Sequence, residues 1–355
     1  MTKKGRIYYL AGDASKASGG EKHTYDHVDI LNAAGFEAYV LHSRPGYRHT
    51  WFDNNTPVID YRSFWKVYDK ASDYIVLPES FGHNIMRFPG KKIIFNKSLY
   101  IGFGSFGLFS CDTYPYLDES VTAIFAVSEH NIQHLKFAFP KARIFRMYTH
   151  IDCKLFAYRP PALKKPIIAC VVKALEPLTV LYHMLRARGL AGLNCLSQYE
   201  WVFLQGYSQR EIARLLGDAL VVISLNTFEG LPRILLEAMA CGCLVVAYGS
   251  GPLKECLPVE SRFDSDNLLR IAEQIEFLTS TFPVQAEQWT SWSAAGRQIA
   301  ETYSLERQRD NLVRAWEQIT APELSPLNVH LSNNEPATTD VRTSMIPVMD
   351  HNEPH

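Results

Sequence analysis

The sequence lacks long apolar runs and strongly basic stretches. No segment approaches the roughly 20 consecutive apolar residues that cross a bilayer as a helix. The 36 lysines and arginines nearly balance the 37 aspartates and glutamates, and they do not cluster into a stripe that would hold a phosphate backbone. These absences argue against a membrane-spanning protein and against nucleic acid as a partner.

The sequence also lacks the cysteine spacings of a zinc site or of a disulfide framework. Its seven cysteines are an odd number and lie mostly among apolar residues. The basic N-terminus leads into the apolar run Ile7–Leu10, which is too short for the core of a signal peptide and has no small-residue cleavage site. We therefore expect a cytoplasmic protein with reduced, buried thiols and no bound metal.

What the sequence does contain is a globular composition and a length sufficient for two domains. Of its 355 residues, 47% are apolar and 21% are charged. The first half alternates short apolar runs with amphipathic stretches, which is typical of a parallel sheet covered by helices on both faces. The elements expected there are strands at 6–10, 37–41, 74–77, 92–95, 123–127 and 144–147, and helices at 22–34 and 129–138.

The same alternation restarts after residues 158–166, where three prolines favour an extended connector. The elements expected in the second half are strands at 167–172, 201–204, 220–225 and 244–247, and helices at 178–188, 208–216, 232–241, 266–281 and 285–318. We therefore predict an α/β fold with parallel-sheet domains at residues 1–160 and 161–285 and a helical segment at 286–320. The remaining residues, 321–355, are rich in Pro, Asn, Ser and Thr and are expected to be disordered.

The most informative segment runs from Phe228 to Gly242 and follows a strongly apolar strand. Pro232 suits the first position of a helix, and Gly242 suits the left-handed conformation after its end. This pattern predicts that Glu229 lies in the loop at the carboxyl end of the strand and that Glu237 lies inside the helix. Ligands of open α/β sheets bind at that end of the strands.

Three features near this segment predict a phosphorylated ligand. The helix N-terminus offers free N–H groups and a partial positive charge. Arg233 occupies the first turn, where its charge opposes the helix dipole unless an anion is shared with the amides. Residues 249–251, Gly-Ser-Gly, add a flexible loop at the same edge. The alternative is that Arg233 forms a surface ion pair with Glu229 or Glu237.

Two glutamates separated by seven residues and followed by Ala238-Met239-Ala240-Cys241-Gly242 resemble the donor-site signature of family 4 glycosyltransferases, the glycosyl transferases group 1. Further similar segments are Gly19-Gly20-Glu21, Val127-Ser128-Glu129, Ile151-Asp152 with Phe156, and the helix after Tyr303-Ser304. The resemblance covers roughly residues 5–318 and is dense only at 219–256. It implies the GT-B fold, in which two Rossmann-like parallel-sheet domains face a cleft and a C-terminal helix crosses back to the first domain.

The resemblance implies a role for each matching residue. Glu237 would bind the ribose hydroxyls of the donor nucleotide, and Glu229 would contact the donor sugar and support the transition state. Gly19 and Gly20 would let backbone amides approach the diphosphate. The residues expected to bind the donor are Gly19, Gly20, Lys173, Glu229, Gly230, Leu231, Pro232, Arg233 and Glu237. The family retains anomeric configuration and needs no metal or other cofactor, so cations and helix dipoles must stabilise the leaving diphosphate.

The sequence departs from the family pattern after the first strand of the second domain. The family usually places an arginine and a lysine there to hold the diphosphate. Residues 172–174 offer only Lys173, and Arg233 is the candidate for the missing charge. The alternative is that Lys173 is an ordinary lysine at the end of a strand. Residues 149–152, Thr-His-Ile-Asp, also replace the family's usual Asn-Gly-Ile-Asp.

Candidate acceptor residues follow two expected strands of the first domain. Glu79 and His83 follow one strand and residues 96–98 follow another, and both ends are expected to face the cleft. His83 is a candidate for acceptor binding or proton transfer, and a structural role is the alternative. The Gly-aromatic stretch 100–109 is a candidate platform for a sugar or for contact with a membrane surface, and ordinary loop packing explains it equally well.

The function expected from these residues is a retaining transferase that uses a nucleotide-sugar donor. Its acceptor would be a glycan, a lipid-linked glycan or another hydroxyl compound, in cell-surface polysaccharide synthesis at the inner face of the membrane. A GT-B sugar-nucleotide epimerase would use the same cleft without an acceptor. A phosphorylase would need a further anion site or pyridoxal phosphate, for which no motif is found. A non-catalytic accessory protein that binds nucleotide sugars would have lost Glu229 or Glu237, and both are present.

Overall fold

The chain folds into alternating strands and helices, as a computed structural model shows for residues 5–14, 18–108, 113–249, 251–282 and 286–321. The predicted disorder of residues 321–355 lies outside the described residues, except at Ala321. The strands are β1 (Ile7–Leu10), β2 (Ala38–His42), β3 (Val58–Asp60), β4 (Tyr74–Pro78), β5 (Lys91–Asn96), β6 (Val121–Ala126), β7 (Ile144–Arg146), β8 (Lys165–Val171), β9 (Glu200–Leu204), β10 (Ala219–Ser224), β11 (Leu244–Tyr248) and β12 (Arg262–Phe263).

The helices cover both faces of the strands. They are α1 (Gly19–Ala33), α2 (Tyr61–Val67), α3 (Leu99–Gly104), α4 (Glu129–Ala138), α5 (Leu175–Leu190), α6 (Gln209–Asp218), α7 (Arg233–Ala240), α8 (Leu253–Cys256), α9 (Leu268–Thr281), α10 (Ala286–Glu301) and α11 (Leu305–Thr320). Short 3₁₀ helices also occur, of which Glu79–Arg87 is the longest among the described residues.

The strands form two parallel sheets. The first has the order β3-β2-β1-β4-β5-β6-β7 and the second the order β12-β11-β10-β8-β9. The strand order reverses beside β1 in the first sheet and beside β8 in the second, and a crevice for ligands forms at such switch points. We call β1–β7 with α1–α4 and α11 the first lobe, and β8–β12 with α5–α10 the second lobe; both belong to one compact unit that ends at Thr320.

Alternating side chains of the buried strands build a core on each face of each sheet. In β1, Ile7 and Tyr9 pack on the side of α1 and α11, whereas Tyr8 and Leu10 pack on the opposite side with Phe64 of α2. The second sheet is likewise enclosed, by α6, α7 and the end of α10 on one face and by α5 and α9 on the other. Because both faces are covered, the strands are apolar almost throughout, as the sequence pattern indicates.

The segment expected as one long helix at 285–318 is two helices. α10 packs on α7 of the second lobe, and α11 packs on α1 of the first. Ser304 separates them because its hydroxyl accepts a hydrogen bond from Arg307 N (3.1 Å), which starts a new helix. The short elements β3, α2, α3, α8 and β12 were not expected from the pattern, since a few residues carry too little periodicity to reveal an element.

Candidate active site

Glu229 and Lys173 meet at the switch point of the second sheet. β8 leads to Lys173 and β10 leads to Glu229, and these two parallel strands are neighbours, so their carboxyl ends lie together. Lys173 Nζ donates a hydrogen bond to Glu229 Oε1, which also accepts one from Asn226 Nδ2 at 3.1 Å. The Glu229 side chain is 15% exposed and that of Lys173 is 49% exposed. Glu229 is therefore largely buried and has two partners, while Lys173 is half exposed to solvent.

The loop around Glu229 lies directly against the first lobe. Ser98 Oγ donates a hydrogen bond to the carbonyl oxygen of Phe228 (2.9 Å). A Cβ atom added to Gly230 would lie 1.7 Å from the carbonyl oxygen of Lys97, so only glycine allows this approach. Leu231 packs against the apolar cores of both lobes. These contacts place Glu229 at the boundary between the lobes.

Helix α7 begins one residue later than the pattern predicts. Pro232 was expected at the first helical position, but it is the N-cap residue, with φ −83° and ψ 88°. The N–H group of Arg233 donates to Leu231 O (3.1 Å), which forms a turn at Pro232 instead of a helical residue. Gly242 has the expected left-handed conformation after the helix, with φ +82°.

Arg233 does pair with Glu237, as the alternative predicts, but this pair is buried and not at the surface. Its Nη1 donates to Asp26 Oδ2 (3.0 Å) and to Thr149 Oγ1 (2.6 Å), both in the first lobe. Its Nε lies 3.7 Å from Glu237 Oε1. Arg233 therefore joins the lobes and reaches both an aspartate that was not anticipated and one of the two predicted glutamates.

Burial and opposite charges set the protonation of the carboxylates around Arg233. Burial acts to raise the pKa of Asp26, but attraction to Lys22 and Arg233 outweighs it and lowers the pKa to about 2. Burial raises the pKa of Glu237, and Arg233 only partly opposes this shift. Asp26 is thus ionised and paired with Arg233. The carboxyl group of Glu237 can still form hydrogen bonds with another group.

The glycines of the N-terminal loop lie beside these residues. Gly19 and Gly20 begin α1. A Cβ atom on Gly19 would lie 3.4 Å from Arg233 Cδ, and one on Gly20 would lie 3.0 Å from Lys97 Cδ. Residues 15–17 of the loop lie outside the described residues. The start of α1 therefore lies next to the start of α7, and both helix ends offer N–H groups.

Lys97 is a cation of this site that the sequence analysis assigned only to the acceptor side. Its Nζ donates to Thr24 Oγ1 (2.9 Å) and lies 5.0 Å from the centre of the Phe95 ring. Within the described part of the chain, no carboxylate lies within ion-pair distance of it. The position of Lys97 after β5 could have predicted its place in this site, because the carboxyl end of that strand faces the crevice.

Glu79 is buried behind the same loop. Its Oε1 accepts a hydrogen bond from Ser98 N (2.8 Å), and Ser98 in turn contacts Phe228. Burial raises the pKa of Glu79 to about 7, although Lys97 acts to lower it. Glu79 therefore supports the loop that carries Lys97 and has no exposed surface from which to reach an acceptor.

His83 lies elsewhere on the first lobe. It is exposed in the 3₁₀ helix Glu79–Arg87, and its ring centre lies 5.2 Å from that of Phe106. None of the described contacts joins His83 to Glu229 or Glu237, and its catalytic role stays a prediction. Tyr100 of α3, by contrast, forms an edge-to-face contact with Phe228 at 4.9 Å, across the boundary between the lobes.

The remaining sequence expectations concern loops and metals. In the expected loop 249–251, Ser250 is outside the described residues, and Gly251 lies against His130 of the first lobe. Among the described residues, no three His, Cys, Asp or Glu side chains are grouped so that they could hold a metal ion. In the same part of the chain, helices long and apolar enough to cross a membrane are absent.

Comparison with known proteins gives a match for one segment of the second lobe and similar structures for the whole fold. Residues 194–276 match the family described as glycosyl transferases group 1. A search of curated proteins found no match to the sequence. Sucrose-phosphate synthase from Thermosynechococcus elongatus is similar in structure, with a TM-score of 0.62, 15% identity, and coverage of 89% of this chain and 99% of that one.

Two further solved structures have the same architecture. HepE from Anabaena, in complex with UDP and glucose, has a TM-score of 0.55 and 14% identity, with coverage of 88% of this chain and 99% of that one. An alpha-glucosyltransferase in complex with UDP and a 13-mer DNA has a TM-score of 0.58 and 12% identity, with coverage of 90% and 100%.

These findings confirm the predicted fold class and the resemblance to group 1, whereas assignment to family 4 stays a prediction. The match at 194–276 contains Glu229, Arg233 and Glu237. The chain therefore has the GT-B glycosyltransferase fold, and residues 194–276 in its second lobe match the glycosyl transferases group 1.

Proposed function

We propose that this protein is a retaining glycosyltransferase that moves a sugar from a nucleotide-diphosphate donor to a hydroxyl group of a glycan, without a bound metal ion. The observation that carries the proposal is the position of Glu229 and Glu237. Both carboxylates lie where the second sheet meets the first lobe, beside two helix N-termini and three cations. An anionic donor fits such a surrounding, because cations and free N–H groups both favour a diphosphate.

The two glutamates suit different parts of the donor. Glu237 lies in α7, and its carboxylate oxygens can accept hydrogen bonds from the two adjacent hydroxyls of a ribose. Glu229 is oriented by Asn226, so it keeps its position when Lys173 turns away. We assign Glu229 to the hydroxyls of the donor sugar, with Gly230, Leu231 and Pro232 forming the loop beside it.

The diphosphate is proposed to bind between Lys173, Lys97 and the start of α1. Lys173 is half exposed, and Lys97 has a hydroxyl but no carboxylate partner among the described residues, so neither must break a buried ion pair to bind phosphate. Gly19 and Gly20 leave the amides at the start of α1 accessible. Arg233 is bound to Asp26 and contributes its charge from the first turn of α7.

The reaction needs stabilisation of the leaving group more than a strong base. The bond from the anomeric carbon to the diphosphate oxygen breaks as the acceptor oxygen forms its bond to the same carbon. Retention requires attack on the face that the diphosphate leaves, so a phosphate oxygen is the nearest base for the hydroxyl proton. Cations and helix dipoles that lower the energy of the departing diphosphate act in place of a metal ion.

The acceptor is proposed to approach from the side of Tyr100 and Phe228. Both rings are about half exposed, and exposed Ile101 lies next to Tyr100 on α3. Aromatic rings at this edge offer flat apolar surfaces for sugar faces, and a lipid-linked glycan would bring them to a membrane surface. The balanced charge of the chain does not favour a polyanionic acceptor such as DNA. We therefore favour a glycan of a cell-surface polysaccharide.

The proposal is tested with a panel of nucleotide sugars, scored for release of nucleoside diphosphate with and without acceptor extracts. The variants Glu229→Gln and Glu237→Gln are compared with Glu260→Gln, which changes an exposed glutamate outside the site. We expect Glu237→Gln to weaken donor binding in calorimetry by about tenfold or more, since one hydrogen bond to a charged group contributes about 1.5–3 kcal/mol. We expect Glu229→Gln to lower the transfer rate more than the binding affinity.

Several outcomes would exclude parts of the proposal. Unchanged donor binding in Glu237→Gln would exclude its ribose role, and full transfer activity in Glu229→Gln would exclude its role in the reaction. Loss of activity with a chelator, restored by a divalent ion, would exclude the metal-free reaction. Conversion of the donor without an acceptor would indicate an epimerase, and donor binding without any turnover would indicate an accessory protein.

A further inference from the structure

A cavity lies away from Glu229 and Glu237, between the edge strand β7 and helix α11. It has a volume of about 430 Å³. The residues that line it are Phe145, Arg146, Tyr148, Arg307, Asp310, Asn311, Arg314, Ala315 and Gln318. The six members from α11 follow the helical spacing of one face, so this face of the helix points toward β7.

The lining carries an excess of positive charge. Arg146, Arg307 and Arg314 contribute three guanidinium groups, and Asp310 is the single carboxylate among the lining residues. Asp310 already pairs with Arg309, whose Nη2 lies 2.9 Å from its Oδ1. Arginines crowded around one cavity repel each other, and an anion bound among them removes that repulsion.

Arg146 is the most enclosed of the three arginines, and its side chain is 11% exposed. Its Nη2 pairs with Glu255 Oε2 (3.1 Å), but its buried Nε and Nη1 have no hydrogen-bond partner. Buried charged donors without partners are unfavourable. Protein atoms enclose these two nitrogens, so Arg146 contributes its positive charge to the cavity and not a free donor.

The other two arginines are available for an anion. Arg307 stacks on Tyr148, with its Cζ 3.9 Å from the ring centre, and donates to Thr302 O at 3.2 Å. Arg314 is exposed, and no carboxylate of the described chain lies within ion-pair distance of either guanidinium. Stacking on Tyr148 orders Arg307 without neutralising its charge.

We propose that this cavity is a binding site for a phosphate group, distinct from the proposed donor site. The guanidinium group presents paired N–H donors that match the oxygens of phosphate, and Arg307 and Arg314 can bind it together from one helix face. The amides of Asn311 and Gln318 extend the site with donors and acceptors for hydroxyl groups. The matching ligand chemistry is a phosphate ester carried on a hydroxylated body, either a sugar phosphate or a lipid headgroup.

The test measures binding to the full chain by calorimetry, with inorganic phosphate and with a hexose phosphate as soluble probes, at constant ionic strength. Cosedimentation with vesicles of phosphatidylglycerol, against phosphatidylcholine vesicles, tests the lipid source. The double variant Arg307→Ala/Arg314→Ala removes two exposed side chains of the site. Arg270→Ala, an exposed arginine on α9, is the matched control for loss of surface charge.

We expect the double variant to weaken the binding of at least one probe by about tenfold or more, because each hydrogen bond to a charged group contributes about 1.5–3 kcal/mol. Asp310→Asn should tighten binding of the same probe, since it removes the one carboxylate of the lining. Arg270→Ala should leave binding unchanged. Lys173→Ala, in the proposed donor site, should not weaken the binding component that the double variant loses, which separates this proposal from the proposed function.

The probe that loses affinity identifies the source of the phosphate. Loss with the hexose phosphate indicates a soluble ester, and loss with the anionic vesicles alone indicates a headgroup. The proposal would be overturned if the double variant bound every probe as tightly as the wild type does. It would also be overturned if Arg270→Ala lost as much affinity as the double variant. Circular dichroism of each variant verifies that α11 remains folded.

Discussion

At the scale of single residues, Arg233 and Asp26 form a buried ion pair between the lobes. Asp26→Asn would remove the carboxylate that pairs with both Arg233 and Lys22, leaving the buried Arg233 only its longer contact with Glu237, and breaking a buried ion pair typically costs about 3 kcal/mol or more. We expect the free energy of unfolding, measured with urea, to fall by that amount. Asp53→Asn is the control, because it breaks another Arg–Asp pair between the lobes whose side chains are 77% and 75% exposed. That change should cost less than about 1 kcal/mol.

The effect of Asp26 depends on pH in a defined direction. The folded state lowers the pKa of Asp26 to about 2, so its stabilising effect is complete above the ordinary pKa of about 4. The difference in unfolding free energy between wild type and Asp26→Asn should shrink as pH falls from about 4 toward 2. If Asp26→Asn and Asp53→Asn lowered the free energy of unfolding equally at neutral pH, the buried pair would contribute no more to stability than the exposed one.

Glu79 gives a prediction of the opposite sign. Burial raises its pKa from 4.5 to about 7, so the folded state favours the protonated form. Its contribution to stability is complete below about pH 4.5 and is lost as pH rises to about 7. Since one pKa unit corresponds to about 1.4 kcal/mol, Glu79→Gln should gain roughly 3 kcal/mol relative to wild type across this range. Urea unfolding at several pH values measures the gain, and a constant difference would show that Glu79 does not titrate there.

At the scale of elements, the loop between β10 and α7 depends on close contact of two backbones. A Cβ on Gly230 would lie 1.7 Å from Lys97 O, so Gly230→Ala must push the loop away from the first lobe. We expect a cost of about 1–3 kcal/mol in the free energy of unfolding, and a larger loss of donor binding because Glu229 moves with the loop. Calorimetry with the best donor of the panel measures the second effect.

Gly217→Ala is the matched control for that substitution. Gly217 lies in α6, and a Cβ there would have open space around it. Alanine favours a helix over glycine by about 1 kcal/mol, so this variant should be as stable as wild type or more stable. If Gly230→Ala behaved like Gly217→Ala, the loop would not require the close approach to Lys97.

At the scale of the whole molecule, the last helix completes the core of the first lobe. Trp316 of α11 is fully buried, and its Nε1 donates to Tyr9 OH (3.0 Å) in β1, so residues 307 positions apart in the sequence meet. Trp316→Ala should lower the free energy of unfolding by about 3–5 kcal/mol, which thermal and urea unfolding can measure. Trp65→Ala, at a half-exposed position of the same lobe, should cost clearly less. Comparable losses would show that α11 contributes little to this core.

The sequence by itself was sufficient to predict features that arise from local patterns. The long strands, the helix that contains Glu237 and the left-handed turn at Gly242 follow from apolar periodicity and from the conformational freedom of glycine. The spacing of Glu229 and Glu237 led to the fold class that the comparisons confirm. The roles assigned to these residues, and to His83 and Lys173, stay predictions.

Only the tertiary structure decided which distant residues share a site. Asp26 and Arg233 lie 207 residues apart, and no local pattern marks them as partners. The approach of Gly230 to Lys97 and the meeting of β7 with α11 likewise join segments that are remote in sequence. The physical reason is that burial and pairing of charges depend on how the two lobes pack on each other. Periodicity records which face of an element is apolar, but not what that face or its neighbouring charges will contact.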